Sequence, residues 1–142
     1  MISFSHFPNL TATNHRVTSP PSTDYNCIAW AAGDTKNWWQ PGIYWPLPTH
    51  PLDESLAELQ KLFETLSYEE RSDADLEIGF EKIALYADAQ GYTHAARQLA
   101  NGRWTSKLGN EEDIEHDSPE AVAGGIYGQM ALFMKRQQAA PI

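Results

Sequence analysis

Residues 81–108 restrict the fold more than any other part of the chain. Glu81-Lys82-Ile83-Ala84-Leu85-Tyr86-Ala87-Asp88 has strand character, and Ala89-Gln90-Gly91 reads as a turn. A second strand, Tyr92-Thr93-His94-Ala95-Ala96-Arg97-Gln98-Leu99, leads into Ala100-Asn101-Gly102. Asn-Gly is a strong hairpin signal, because both residues tolerate the positive φ of a tight turn. A third strand follows over residues 103–108 and ends at Gly109. Connections this short make an antiparallel meander. Residues 127–136 are apolar enough to form a fourth, buried strand.

The elements before this sheet are of another kind. Residues 1–23 are polar and broken by proline, and read as an extended arm packed by Phe4, Phe7 and Leu10. A short Ala-rich helix over residues 26–33 comes next, with Gly33 as its C-cap. Three of the chain's five tryptophans then fall in residues 38–45, among Pro41, Pro46 and Pro48. Proline excludes helix and central strand there, so the stretch reads as a loop pinned by aromatic burial. It is a lid over one edge of the core or a platform for substrate. Leu56, Leu59, Leu62, Phe63 and Leu66 recur at helical spacing within residues 52–66, with Asp53 as N-cap. The acidic stretches 67–75 and 110–117 read as solvated loops. Ser118-Pro119 opens a short helix that stops near Gly124-Gly125, and residues 137–142 form a tail. The expectation is a single α+β domain over residues 1–142: a cysteine-bearing helix, an aromatic loop, a second helix, then a four-stranded antiparallel sheet.

Composition narrows the partners. Net charge is −9, from 10 Lys+Arg against 19 Asp+Glu, and the basic residues form no stripe. That balance argues against nucleic acid, whose phosphates demand clustered cations. No stretch approaches the ~18 apolar residues of a membrane span. The start of the chain lacks the basic and apolar regions of a secretory signal. The cytoplasm is the default compartment, with export by a route without a cleaved signal left open. No spacing of zinc, calcium or phosphate-loop type is present, so no cofactor is expected.

The only cysteine, Cys27, sits in the first turn of the first helix. Unpaired N–H groups and the helix dipole there favour thiolate, the form a nucleophile needs. The plainer role is a small core hydrophobe. A thiol nucleophile needs a base. His6 and His15 lie in the arm and His50 in a loop. His94 lies in a strand and is followed by Ala95-Ala96, small residues that let another element approach. Otherwise it is a strand histidine satisfied by a carbonyl.

A cysteine at the start of a helix, followed by an antiparallel sheet whose second strand carries histidine, resembles the papain-like cysteine peptidases. The likeness is nearest to the compact bacterial branch that cuts cell-wall peptides. It implies a papain-like fold, with the N-terminal cysteine helix packed on the sheet. It implies that Cys27 attacks an amide carbonyl, with His94 as base. The third polar residue of that branch falls on Ser106, where the family usually has His, Asn or Gln. His116 is the alternative if its loop folds back. The backbone N–H of Cys27, with Asn26, would hold the oxyanion. The chain also resembles a group of small bacterial proteins that share the Tyr25-Asn26-Cys27 segment, paired tryptophans and the Trp104-Thr105-Ser106-Lys107-Leu108-Gly109 strand. Two functions follow. One is an amide hydrolase or related acyl transferase acting on peptide or protein. The other is a non-catalytic module of adaptor or immunity type that binds a protein partner. They differ in whether Cys27 lines a groove facing His94 or is enclosed by apolar neighbours.

Overall fold

The computed structural model describes Ile2, residues 4–48 and residues 53–138. Its centre is one seven-stranded antiparallel sheet. The strands are β1 (His15–Ser19), β2 (Glu69–Arg71), β3 (Phe80–Asp88), β4 (Gly91–Gln98), β5 (Trp104–Lys107), β6 (Asp113–His116) and β7 (Gln129–Gln137). They lie in the order β1-β6-β5-β4-β3-β7-β2. Two helices, α1 (Cys27–Ala32) and α2 (Leu56–Thr65), and a 3₁₀ turn (Pro119–Val122) complete the described elements.

The expected hairpins β3–β4 and β4–β5 and the final strand β7 are present. The four-stranded α+β, papain-like arrangement is not. The molecule is mainly a sheet of seven strands with two short helices. Three strands lie in stretches read as arm or solvated loop, and for β6 the buried partners of its carboxylates explain why. In β6, Glu115 takes Arg16 and Arg103 at 3.0 Å each, and Asp113 accepts the Tyr25 hydroxyl at 2.6 Å. The acidic residues that look like a solvated loop are thus buried with partners distant in sequence. β1 forms the edge beside β6, and β2 adds three residues to the edge of β7. The second helix begins at Leu56, capped by Ser55 Oγ rather than by Asp53. Asp53 instead accepts the Ser55 N–H, just ahead of the helix. Leu52 and His50 lie outside the described residues.

Core side chains fill both faces. On one, α1 and α2 bury Ile28, Leu59, Leu62 and Phe63 against Ile83, Leu85, Ala95 and Met134. On the other, Phe7, Leu10 and Val122 cover Ala84, Tyr86, Ala96, Trp104 and Ile114. The arm reaches that face because Gly125 has no side chain: a Cβ there would sit 2.0 Å from His6 O. The pair Gly124-Gly125 is therefore a docking point for the arm.

One irregularity decides where the functional side chains point. Tyr86 pairs with His94, but Ala87 pairs with Tyr92, so Thr93 is an extra residue in β4. Such a bulge reverses the alternation of side chains along a strand. Tyr92 packs with the α1 and α2 layer, whereas His94 contacts Tyr86 and Tyr127 on the opposite face.

Candidate active site

Asn26 fixes the cysteine. Its backbone is extended, and its Oδ1 accepts the Ala29 N–H at 3.1 Å, capping α1. The same oxygen accepts the Trp39 N–H at 3.1 Å, and Nδ2 donates to Trp39 O at 2.8 Å. The amide expected to help hold an oxyanion thus ties α1 to the tryptophan loop. Gly33, at φ 88°, ends the helix as the sequence suggests.

Cys27 is the first helical residue and is 8% exposed. Burial pushes its thiol up to about 11. The backbone N–H groups of Ala95, Ile28 and Cys27, and the charge of Lys107, act in the opposite direction and are outweighed. At neutral pH the residue is therefore a thiol, contrary to the thiolate expected at a helix start.

The Ala95 contact places the sulfur. β4 and β5 are ladder-paired only at Arg97↔Thr105 and Gln98↔Trp104. The Ala95 N–H lies ahead of that ladder, near enough to the Cys27 thiol to favour its charged form. Cys27 thus meets β4 one peptide beyond His94. No hydrogen bond joins the two side chains, and His94 Nδ1 has no partner among the described residues.

His94 is fully enclosed and bonded on its other nitrogen. Nε2 lies 2.9 Å from Ser106 Oγ, and Ser106 Oγ lies 2.8 Å from His116 Nε2. His116 Nδ1 lies 2.7 Å from Ser118 O. Burial pushes His116 down to about 4. Burial, aided by His116, pushes His94 well below the ordinary histidine value. Both rings are neutral at pH 7, and the proton positions follow. A carbonyl only accepts, so His116 Nδ1 carries the proton and its Nε2 is an acceptor. Ser106 Oγ–H donates to that nitrogen. The serine oxygen then accepts from His94 Nε2–H, which leaves His94 Nδ1 as a bare lone pair. Ser106 and His116, alternatives in the sequence, are successive members of one chain. They meet because Ser106 pairs with Ile114 and Trp104 with His116, placing the two polar residues diagonally on one face.

Two further residues, not singled out in the sequence, complete the site. The Tyr127 ring stacks on His94 at 4.0 Å between centroids and 7° between planes. It also lines the Cys27 cavity, of about 250 Å³, with Trp38, Trp39, Tyr92 and Thr93. Lys107 is fully buried and donates to Ser22 O, Gly109 O and Glu111 O at 2.9, 2.7 and 2.6 Å. It pins the loop beside Cys27. A lysine at the end of β5 carries no sequence signal of this role. Of the other described histidines, His15 Nδ1 bonds Thr11 O, and His6 lies in the arm. No three His, Cys, Asp or Glu side chains among the described residues gather as metal ligands. No helix there is long and apolar enough to cross a membrane.

The tryptophans divide into wall and rim. Trp39 is 7% exposed and donates to Asp34 at 2.7 Å, whereas Trp38 is half-buried. Trp45 stacks on Tyr92 and donates to Glu58 at 2.9 Å. Trp39→Ala is expected to cost about 3–5 kcal/mol. Trp38→Ala should cost about 1–2 kcal/mol. Urea denaturation of the two variants checks the difference, and equal losses would contradict this division.

Fold and site define a small, mainly antiparallel-sheet protein in which a helix-borne thiol abuts a strand carrying a buried histidine–serine–histidine chain. The chain belongs to the family described as a domain of unknown function, DUF7689, whose model matches residues 16–135. No curated protein and no solved structure matches it.

Proposed function

We propose that this protein is a cysteine-dependent acyl transferase or amide hydrolase, with Cys27 as nucleophile and His94 as general base. The observation that carries the reading is the direction of the buried chain. Ser118 O, His116 and Ser106 fix His94 as the Nε2–H tautomer and leave Nδ1 bare. A fully buried acceptor without a partner is costly, and sites that retain one commonly use it.

The step is that of a neutral pair. Sγ attacks the carbonyl carbon of an amide as His94 Nδ1 takes the thiol proton, and the C=O electrons move to oxygen. The imidazolium is stabilised through Nε2–H by Ser106, which is held by His116. The C–N bond then breaks, and the amine leaves with the proton from Nδ1. Water or a second amine attacks the thioester, regenerating the thiol. Cys27 lies in the α1 layer and His94 on the opposite face against the Tyr127 ring, so the proton transfer requires substrate binding to shift Tyr127 and the β4 bulge. Catalytic hydrogen bonds are often long in unliganded enzymes.

A specific observation favours the second reading, a protein-binding module. Cys27 is enclosed and its thiol is raised to about 11, as in a core cysteine. Amine release from a panel of peptide and glutamine amides separates the two. Cys27→Ser is expected to fold normally and lose at least about a thousandfold in turnover. Equal turnover by both proteins would overturn the proposed nucleophile.

A further inference from the structure

A second cavity adjoins the Cys27 cavity. It measures about 360 Å³, and Phe7, Leu108, Ile126 and Tyr127 supply its apolar wall. Gly109 and Tyr127 line both cavities, so the ring stacked on His94 is a partition between them. Asn110 and Glu111 give the second cavity a polar rim. One wall comes from the arm, held in place by the Ile126 N–H donating to His6 O at 3.1 Å and by Asn9 Nδ2 donating to Ala123 O at 3.1 Å. Gly125 permits that approach. Ile126 stands at the mouth, 51% exposed.

We infer that this second cavity is a specificity subsite that takes an apolar side chain of the substrate whose carbonyl is presented to Cys27. The inference rests on the acyl-transfer reading for the identity of its ligand. A substrate lying across Gly109 and Tyr127 places its carbonyl at the sulfur and its neighbouring side chain in the apolar cavity. Apolar walls with a few polar groups at the rim are the usual form of a site that orients and selects. The cavity accommodates a leucine or phenylalanine side chain, and burying a carboxylate against Phe7, Leu108 and Ile126 is unfavourable.

The test is a series of N-acetyl amino-acid p-nitrophenyl esters bearing leucine, phenylalanine, alanine or glutamate side chains. Wild type and Ile126→Asp are compared, each checked by thermal melting. In wild type the leucine and phenylalanine esters should acylate Cys27 at least about tenfold more efficiently than the glutamate ester. Ile126→Asp should shrink that ratio at least about fivefold, through KM more than kcat. Equal efficiencies in wild type would overturn the subsite, as would a ratio unmoved in an Ile126→Asp protein that melts like wild type. The corresponding N-acetyl amino-acid amides are also titrated into Cys27→Ser and followed by tryptophan and tyrosine fluorescence. If no ester acylates wild type but the amides bind with the apolar preference, the acyl-transfer reading fails and the subsite stands. Absence of preference in both assays overturns the subsite itself.

Discussion

His94→Ala is expected to lower amide turnover at pH 7 by about 10²–10⁴-fold, the usual contribution of a positioned general base. The shape of the residual pH profile separates this role from a structural one. With the imidazole present, the reacting pair is a neutral thiol and a neutral base. That pair persists from the low value of His94 up to the thiol value of about 11, so the wild-type profile is flat across neutral pH. Without the imidazole, only thiolate made by solvent can attack. The rate should then rise about tenfold per pH unit until about 11, because thiolate is a small fraction of Cys27 below that point. His94→Ala therefore recovers at high pH what it loses at neutral pH. A variant equally inactive at all pH values, or one with a flat profile, would mean that His94 does not take the proton. Full pH–rate curves for both proteins supply the answer.

Acid should unfold this protein through two side chains. His94 and His116 are fully enclosed and held neutral by burial. In the unfolded chain each binds a proton below about 6.5. In the folded chain His116 resists until about 4, and His94 also titrates well below the ordinary value. Between these limits unfolding takes up protons, so stability falls as pH falls; above about 6.5 neither state is protonated and neither residue contributes a slope. The carboxylates of Asp34, Asp73, Glu77 and Glu115 are held below their usual values, so their loss begins lower still. Between about pH 6 and 5 the histidines are thus the main contributors, and the carboxylates join below about 5. Arg103, His15 and Asp117 surround His116, and the first two oppose its charging. Each histidine is worth about 1.4 kcal/mol per pH unit while it titrates in one state only. His116 alone accounts for about 3 kcal/mol by pH 4. Urea midpoints across this window should show a slope near two protons for wild type and near one for His116→Asn. A flat midpoint between about pH 6 and 5 would contradict the enclosure of the pair.

The parts of this molecule legible in its sequence are those built from local chemistry. Asn101-Gly102 announces a hairpin, and Gly33 ends α1 in the left-handed conformation expected of it. The spacing of Leu59, Leu62 and Phe63 gives the buried face of α2. What stays hidden depends on partners far along the chain. β6 looks like a solvated acidic loop because nothing nearby shows that Arg16, Arg103 and Tyr25 neutralise or bond its carboxylates. β1 is recognisable only once β6 exists. The bulge at Thr93 carries no signature in Tyr92-Thr93-His94, yet it decides which face His94 joins. The site followed the same division. Cys27, His94, Ser106 and His116 are visible as residue types suited to chemistry. That Ser106 and His116 are bonded in series, and that Tyr127 stacks on His94, required the register of β5 against β6 and the approach of the segment after the 3₁₀ turn. The helix start also misled. Its N–H groups do face the sulfur, but burial of the thiol is the larger effect.

We propose that Cys27 becomes acylated with His94 as its base. Peptide mapping by mass spectrometry tests it most directly, after a single turnover of N-acetyl-leucine p-nitrophenyl ester at pH 7, in wild type and His94→Ala. The acyl group is expected on Cys27 in wild type within the p-nitrophenol burst, with at least about a hundredfold slower labelling of the same residue in His94→Ala. A folded wild type whose Cys27 stays unmodified, or one labelled at the same rate without His94, would contradict it.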